Sequence, residues 1–179
     1  MDYSELSEPL FHGSDESFST VDLSKSAPNK DFGRGFYTTN NKSQAEKFAR
    51  LKARRSQFPI GYVEEYRLTD TENLRIKLFP LADEEWFDYI LENRGYGNLT
   101  ALDSEKTFDI VIGPVANDAV GTVLNQFVAG VFGDPETIEA KETAIRLLLA
   151  QKLHNQVYFG TEQAVSRLEF VGVYNVRVD

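Results

Sequence analysis

The amino-acid sequence predicts a single-domain α+β fold. Segments with apolar residues at helical spacing are interleaved with short alternating or continuous apolar runs that are typical of strands. Several neighbouring runs indicate antiparallel pairing rather than a regular parallel sheet. The 179 residues suffice for one hydrophobic core, and no internal repeat or Pro/Gly/Ser-rich linker divides them. We therefore expect one domain over residues 1–179, with a helical insertion around 82–152.

The first third of the chain predicts strands around one helix. LFHGS is a short apolar strand, and GRGFYTT is typical of a tight turn that leads into a second strand. Asn41 is placed to cap a helix that runs to about Ser56. The apolar face of this helix comprises Ala45, Phe48, Ala49 and Ala53. After it, GYVEEYRL and NLRIKLF predict two strands or a hairpin.

The remainder predicts three longer helices and three strands. DEEWFDYILENRG has a cap at Asp83 and a stop at Gly95, and the strand run FDIVIG follows. NDAVGTVLNQFVAG begins at a cap formed by Asn117 or Asp118, and GDPETIEAKETAIRLLLAQKL begins at Asp134. Finally, QVYFG and LEFVGVYNVRV predict strands, with about two helical turns of TEQAVSRL between them.

The charge distribution limits the binding partners. A formal net charge of −9 argues against broad electrostatic capture of nucleic acid. One basic cluster interrupts this acidic chain and comprises Lys47, Arg50, Lys52, Arg54 and Arg55. This cluster is either a solvated helix face or a binding surface for a phosphorylated cofactor or an acidic target.

The composition also indicates the cellular compartment. The chain has no cysteine, which excludes disulfides and thiolate metal sites. The start, MDYSELSEP, does not resemble a signal peptide, and no apolar run reaches membrane-spanning length. We expect a cytoplasmic protein with no membrane partner.

Two short segments carry the polar groups of greatest interest. His12 follows an apolar strand and precedes Gly-Ser, a position that can aim an imidazole and backbone amides at one ligand. Gly33 and Gly35 flank an arginine just before Tyr37. Taken separately, each segment is more typical of an ordinary turn, with His12 hydrogen-bonded inside it.

In their order along the chain, LFHGS, GRGFYTT and HNQVYFGTEQAV resemble the three signature segments of the ADP-ribosyltransferases. The resemblance is closest to the poly(ADP-ribose) polymerase branch, which has His-Gly-Ser, Gly-x-Gly-apolar-Tyr and Asn-Glu at these places. Here they are held by residues 12–14, residues 33–37, and Asn155 with Gln156. The chain also resembles an uncharacterised bacterial family of this fold. The resemblance implies a split mixed or antiparallel β-sheet core with flanking helices.

The resemblance implies NAD as the co-substrate and no metal. It places His12 on the ribose of the adenosine side, Gly13 on the nicotinamide carboxamide and Tyr37 on the nicotinamide ring. Ser14 and Gly35 belong to the same NAD-binding segments. An aromatic face suits a flat cationic pyridinium, which fits the role of Tyr37.

The third signature position differs from the polymerase pattern. Gln156 replaces the glutamate that steadies the oxocarbenium-like transition state, so it keeps a hydrogen bond but not the charge. His12, Tyr37 and Gln156 then form the catalytic set. Glu162 is the alternative acid, although it also suits the first turn of a helix capped by Thr161.

Three further residues are candidates for the acceptor side of the pocket. They are Arg94, Asp118 and Glu162, which equally suit roles as a helix-end cation, a cap and a first-turn anion. A base that activates the acceptor is expected among Asp109, Asp118 and Glu162, or on the target itself.

The resemblance therefore implies a mono-ADP-ribosyltransferase that passes ADP-ribose to a macromolecule. The acidic chain favours a protein acceptor, whereas the basic cluster keeps nucleic acid open. The bacterial resemblance suggests a toxin or defence factor with an antitoxin partner. NAD hydrolysis and a catalytically silent module that binds NAD or ADP-ribose are the alternatives.

Overall fold

The computed structural model describes residues 4–7, 9–99, 107–115, 118–149 and 154–178. Its helices are α1 (Ser4–Ser7), α2 (Lys42–Arg55), α3 (Glu84–Asn93), α4 (Asp118–Val128), α5 (Ile138–Leu149) and α6 (Glu162–Val165). Its strands are β1 (Leu10–Ser14), β2 (Phe36–Thr38), β3 (Ile60–Leu68), β4 (Ile76–Leu78), β5 (Ile110–Val115), β6 (His154–Phe159) and β7 (Leu168–Arg177). None of the described helices is long and apolar enough to cross a membrane.

The strands form two sheets that meet at one bridge. The first has the order β1-β3-β7 and is antiparallel throughout. The second has the order β2-β6-β5-β4, in which only β4 and β5 are parallel. Between them, the backbones of Phe11 and Thr39 exchange two hydrogen bonds, of 2.7 and 2.9 Å. The predicted α+β class with mixed and antiparallel sheets is confirmed.

Helix α2 packs on the first sheet through small residues. The Asn41 side chain accepts a hydrogen bond from the Gln44 amide, so the predicted cap is confirmed. Ala45 and Ala49 are buried against β1 and β3, as the apolar pattern predicts. Phe48 differs, because 45% of it is exposed and it faces the cleft described below.

We expect Gly61→Ala to destabilise the protein by about 2 kcal/mol, on the scale of overpacked cores. A Cβ at Gly61 would lie 2.5 Å from the backbone oxygen of Ala49, so α2 would have to move away from β3. Urea unfolding measures the change. Gly172→Ala is the matched control, since a Cβ there has no described neighbour within 4 Å. Equal free energies of unfolding for the two variants would contradict this packing.

Helices α3, α4 and α5 share one hydrophobic core with β5. Trp86 is fully buried in it, and its Nε1 donates a 2.7 Å hydrogen bond to the carbonyl of Pro114. Asp83 caps α3 by accepting from the Trp86 amide, and Gly95 ends the helix with φ +90°, both as predicted. Because β5 pairs within the second sheet, the region 82–152 is not a purely helical insertion.

Of the two alternatives for the segments after α2, two separate strands are confirmed, since β3 belongs to the first sheet and β4 pairs with β5. The expected start of α5 is wrong. Helix α5 begins at Ile138 rather than at Asp134, which forms a turn by accepting from the Glu136 amide. The predicted cap of α4 lies outside the described residues at Asn117, and the Asp118 side chain is not described.

Candidate functional site

A cleft of about 1290 Å³ opens beside the bridge between the sheets. Strands β1, β2 and β6 and helix α2 contribute its walls. It gathers the residues predicted for catalysis and NAD binding from positions far apart in the chain. These lining residues are His12, Gly13, Ser14, Gly35, Tyr37 and Gln156.

His12 is held as a neutral hydrogen-bond acceptor. Its Nδ1 lies 2.6 Å from the carbonyl oxygen of Tyr37, and its ring centroid lies 4.6 Å from that of Phe36. Because a carbonyl oxygen only accepts, Nδ1 carries the proton and Nε2 keeps its lone pair. Burial lowers the pKa of His12 to about 3, and the positive charge of Lys52 acts in the same direction.

We expect His12 to make the protein less stable as the pH falls below about 6.5. An unfolded chain takes up a proton at His12 near that value, whereas the folded state, with a pKa of about 3, does not. The unfolded state therefore binds more protons at this residue across the window, and His12 lowers the free energy of unfolding by on the order of 1 kcal/mol per pH unit as the pH falls. Urea unfolding at stepped pH measures the slope for wild type and for His12→Gln, and the difference between the two slopes is the contribution of His12.

Glu64 has the opposite effect on the pH dependence of stability. The contributions of Glu64 and His12 must therefore be measured separately. Burial raises the pKa of Glu64 to about 7, so the folded state binds the extra proton between its usual pKa of 4.5 and 7. The contribution of Glu64 to the free energy of unfolding falls as the pH rises through this window. It therefore partly cancels the contribution of His12. His154→Gln, at an exposed position, is the control. If His12→Gln and His154→Gln keep the wild-type slope alike, His12 is not a buried neutral residue.

Tyr37 is fixed by its hydroxyl, which makes two hydrogen bonds. Its hydroxyl donates to the Gly33 carbonyl at 2.7 Å and accepts from the Phe32 amide at 3.0 Å. Burial raises the pKa of Tyr37, so the phenol stays protonated and keeps donating. The Nζ of Lys30 lies 5.1 Å from the ring centroid, over an aromatic face that favours cations.

Gly35 has a different role from the one its motif suggests. Ser26 Oγ accepts from the Gly35 amide at 3.1 Å and donates to its carbonyl at 2.8 Å, so both backbone groups of Gly35 are already bonded. A Cβ on Gly35 would lie 2.1 Å from the ring of Tyr158, and this close approach requires glycine. The Tyr158 hydroxyl completes the turn by donating to the carbonyl of Arg34 at 3.0 Å.

Arg94 supports the turn that carries Tyr37. Its Nε and a terminal nitrogen lie 2.8 and 2.5 Å from one carboxylate oxygen of Asp31, two residues before Gly33. The Asp31 side chain is only 9% exposed and that of Arg94 23%. Both line the cleft, so Arg94 reaches the predicted site while engaged in a largely buried ion pair.

Gln156 and Glu162 are separated by the structure. Gln156 is half-buried in β6 and lines the cleft, whereas Glu162 is exposed and is not among the described residues that do so. Thr161 caps α6 by accepting from the Ala164 amide, which makes Glu162 a first-turn anion. Glu162 is therefore not the alternative acid in this arrangement.

Asp109 is engaged in structural contacts. Its carboxylate accepts from the Arg75 amide at 2.8 Å and from the Thr161 hydroxyl at 2.9 Å. Burial acts to raise the pKa of Asp109, but these hydrogen bonds and the Arg75 guanidinium lower it overall. A carboxylate stabilised in this way is a poor base for an acceptor.

Two lysines in the cleft add positive charge to the site. Lys30 and Lys52 both line it, and burial and the charge of Lys52 lower the pKa of Lys30. Neither has a carboxylate within ion-pair distance among the described residues. The sequence indicated Lys52, because this residue belongs to the basic cluster. No pattern in the sequence indicated Lys30. Two such cations favour an anionic ligand.

In the described part of the chain, no group of three His, Asp or Glu side chains could hold a metal ion. In comparisons with known proteins, the family model described as "Protein of unknown function (DUF3990)" matches residues 9–170. No curated protein and no solved structure matches the chain. The matched range runs from just before β1 into β7 and so includes every cleft-lining strand.

Proposed function

The chain belongs to the family of unknown function DUF3990, and from this premise we propose that it is an NAD-dependent mono-ADP-ribosyltransferase. The observation that carries the proposal is the convergence of His12, Tyr37 and Gln156 on one cleft. These are the residues that align with the three signature segments of the resembled enzymes. Each offers a chemical group that a different part of NAD requires.

The adenosine ribose and the nicotinamide ring, at the two ends of NAD, match His12 and Tyr37. The Nε2 lone pair of His12 suits a ribose hydroxyl, which is a donor. The Tyr37 face already attracts the ammonium of Lys30, and a cationic nicotinamide ring has the same attraction to it. Lys30 and Lys52 form no ion pair among the described residues, and their positive charges suit the diphosphate between these ends.

Gly13 suits the nicotinamide carboxamide through its backbone. Alternate residues of a strand direct their amide and carbonyl to the same side. Phe11 directs both groups toward Thr39, so Gly13, two residues further along β1, directs its own toward the Tyr37 side of the cleft. A carboxamide has one acceptor and two donors, and can pair with both backbone groups of Gly13.

In the proposed reaction, a nucleophile attacks the anomeric carbon of the nicotinamide ribose while the glycosidic bond breaks. The bonding electrons leave with nicotinamide, which departs neutral, and the nucleophile's proton passes to a base or to water. Positive charge develops on the ribose. Gln156 binds the neighbouring hydroxyl but contributes no negative charge, so slow transfer of a single unit is favoured over chain elongation.

The acceptor is proposed to be a protein side chain, because the chain carries a net charge of −9. Arg94 is occupied by Asp31, and Glu162 lies away from the lining residues, so neither recognises the acceptor in this arrangement. Gln156 also supports a second candidate function, a module that binds NAD or ADP-ribose without chemistry, since it lacks the charge used in catalysis.

The test is release of nicotinamide from NAD labelled in the adenosine half, with purified protein alone and with bacterial lysate. Tyr37→Ala removes the stacking face, and Gln156→Ala removes the ribose contact. Gln163→Ala, on the exposed side of α6, is the matched control. Thermal unfolding of each variant verifies that it is folded.

Release and labelling by wild type and Gln163→Ala, but not by the two cleft variants, would support the transferase. Protease or nuclease sensitivity of the label then identifies the acceptor class. Release without labelling would indicate hydrolysis, and saturable NAD binding without release would indicate the silent module. A toxin role predicts growth arrest on expression of wild type but not of Tyr37→Ala.

A further inference from the structure

A buried carboxyl group lies next to the cleft. Glu64, in the centre of β3, is 0% exposed, and neither of its carboxyl oxygens has a hydrogen-bond partner among the described residues. The backbone amides of Glu64 and Phe18 favour its charged form, but they do not reach it with hydrogen-bond geometry. The buried hydroxyl of Tyr66, two residues further on the same face, is likewise unpaired. Leaving such groups unpaired costs about 1–3 kcal/mol each, which an unassigned ligand would offset.

Glu64 lies directly opposite His12. The two residues are partners in the antiparallel register of β1 and β3, so their side chains project from the same face of the sheet. The ring of Phe18 lies against His12, with centroids 5.6 Å apart, and the backbone of Phe18 lies over Glu64. Phe18 lines the cleft, whereas Glu64 is not among the described residues that do so.

These two side chains present acceptors side by side. His12 offers the lone pair of Nε2, and Glu64 offers carboxylate oxygens. A pair of acceptors requires a pair of donors at the same spacing, and the vicinal hydroxyls of a ribose supply two. We propose that Glu64 is a specificity-determining residue that binds the adenosine ribose together with His12 once Phe18 moves aside, and that it selects NAD against NADP. This inference rests on the proposed function.

The selectivity follows from charge. The 2′-phosphate of NADP replaces a hydroxyl donor with oxygens that accept and carry negative charge. Above a pH of about 7, where Glu64 is ionised, that phosphate meets two acceptors and a like charge beside Glu64 and a neutral His12, an arrangement that disfavours NADP. Lys52 is the nearby cation whose charge acts on both residues. If Lys52 contacted the 2′-phosphate, the preference for NAD over NADP would be lost. The binding experiment below would detect this loss.

The experiment measures binding of ADP-ribose and ADP-ribose 2′-phosphate to the full chain by calorimetry, since neither probe carries nicotinamide. The test variant is Glu64→Gln, which keeps the volume and removes the charge. Glu65→Gln is the matched control, because it makes the same change at the next residue, which points to the opposite face of β3. Glu64→Met is a second uncharged variant of similar volume, for use if Gln is not accommodated.

Wild type and Glu65→Gln are expected to bind ADP-ribose at least about tenfold more tightly than its 2′-phosphate, and Glu64→Gln to narrow this ratio about tenfold. Both affinities come from one sample, so the ratio does not depend on the folded fraction. If all three proteins bind ADP-ribose and show the same ratio of affinities for ADP-ribose and its 2′-phosphate, the proposed role of Glu64 is overturned. The proposed function of the protein is not overturned by that result. A wild type that binds neither probe would overturn the proposed function as well.

Discussion

Gln156→Glu is expected to increase the rate of nicotinamide release about a hundredfold. In the proposed reaction, the added carboxylate would lie where positive charge develops on the ribose, and one such electrostatic contact contributes on the scale of about 10²–10³ in kcat. Gln156 is half-buried in the cleft, so the charge would act in a partly desolvated site. Steady-state kinetics should show the effect in kcat, with KM little changed, because the neutral side chain is proposed to bind the same hydroxyl.

Gln163→Glu is the control for this prediction. It makes the same chemical change on exposed helix α6, outside the described lining of the cleft, and should leave the rate unchanged. Equal rates for wild type and both variants would place Gln156 away from the reacting carbon. A glutamate variant that is active where wild type is silent would instead identify the natural protein as a binding module.

Arg94→Ala is expected to destabilise the protein by about 3 kcal/mol and to abolish nicotinamide release. The Asp31 carboxylate, 9% exposed, loses the guanidinium that compensates its burial. The turn between Asp31 and Tyr37 then loses its anchor to α3, and the ring no longer has a fixed position. Urea unfolding gives the stability, and activity is measured well below the midpoint of unfolding.

Two further variants define the origin of this effect. Arg67→Ala removes an exposed ion pair with Glu169 and should cost less than about 1 kcal/mol. Adding Asp31→Asn to Arg94→Ala should recover part of the lost stability, because the buried charge is removed with its partner. If the double variant is as unstable as Arg94→Ala alone, burial of the Asp31 charge is not the cause.

Local elements could be predicted from the sequence because their determinants are close together in the chain. The caps at Asn41 and Asp83 act on amides three residues later, and both are found. The pairing of β3 and β4 could not be predicted in this way. Neighbouring strand patterns left two separate strands or a hairpin open, and β4 pairs with β5, which lies more than thirty residues further along the chain.

The cleft illustrates the same limit. His12, Tyr37 and Gln156 lie in segments that ordered motifs can identify, and the structure places all three around one space. The Asp31–Arg94 pair spans 63 positions and leaves no local pattern. Glu64 did leave a signal, since adjacent glutamates in a strand must face opposite sides. One of them therefore had to point inward if both faces of β3 were covered.

The bridge between Phe11 and Thr39 forms part of the lining of the cleft. The amide protons of both residues are hydrogen-bonded across it, so they exchange with solvent only when the bridge opens. Any ligand that spans the cleft would slow that exchange, so Phe11 and Thr39 report occupancy of the cleft without reference to any reaction.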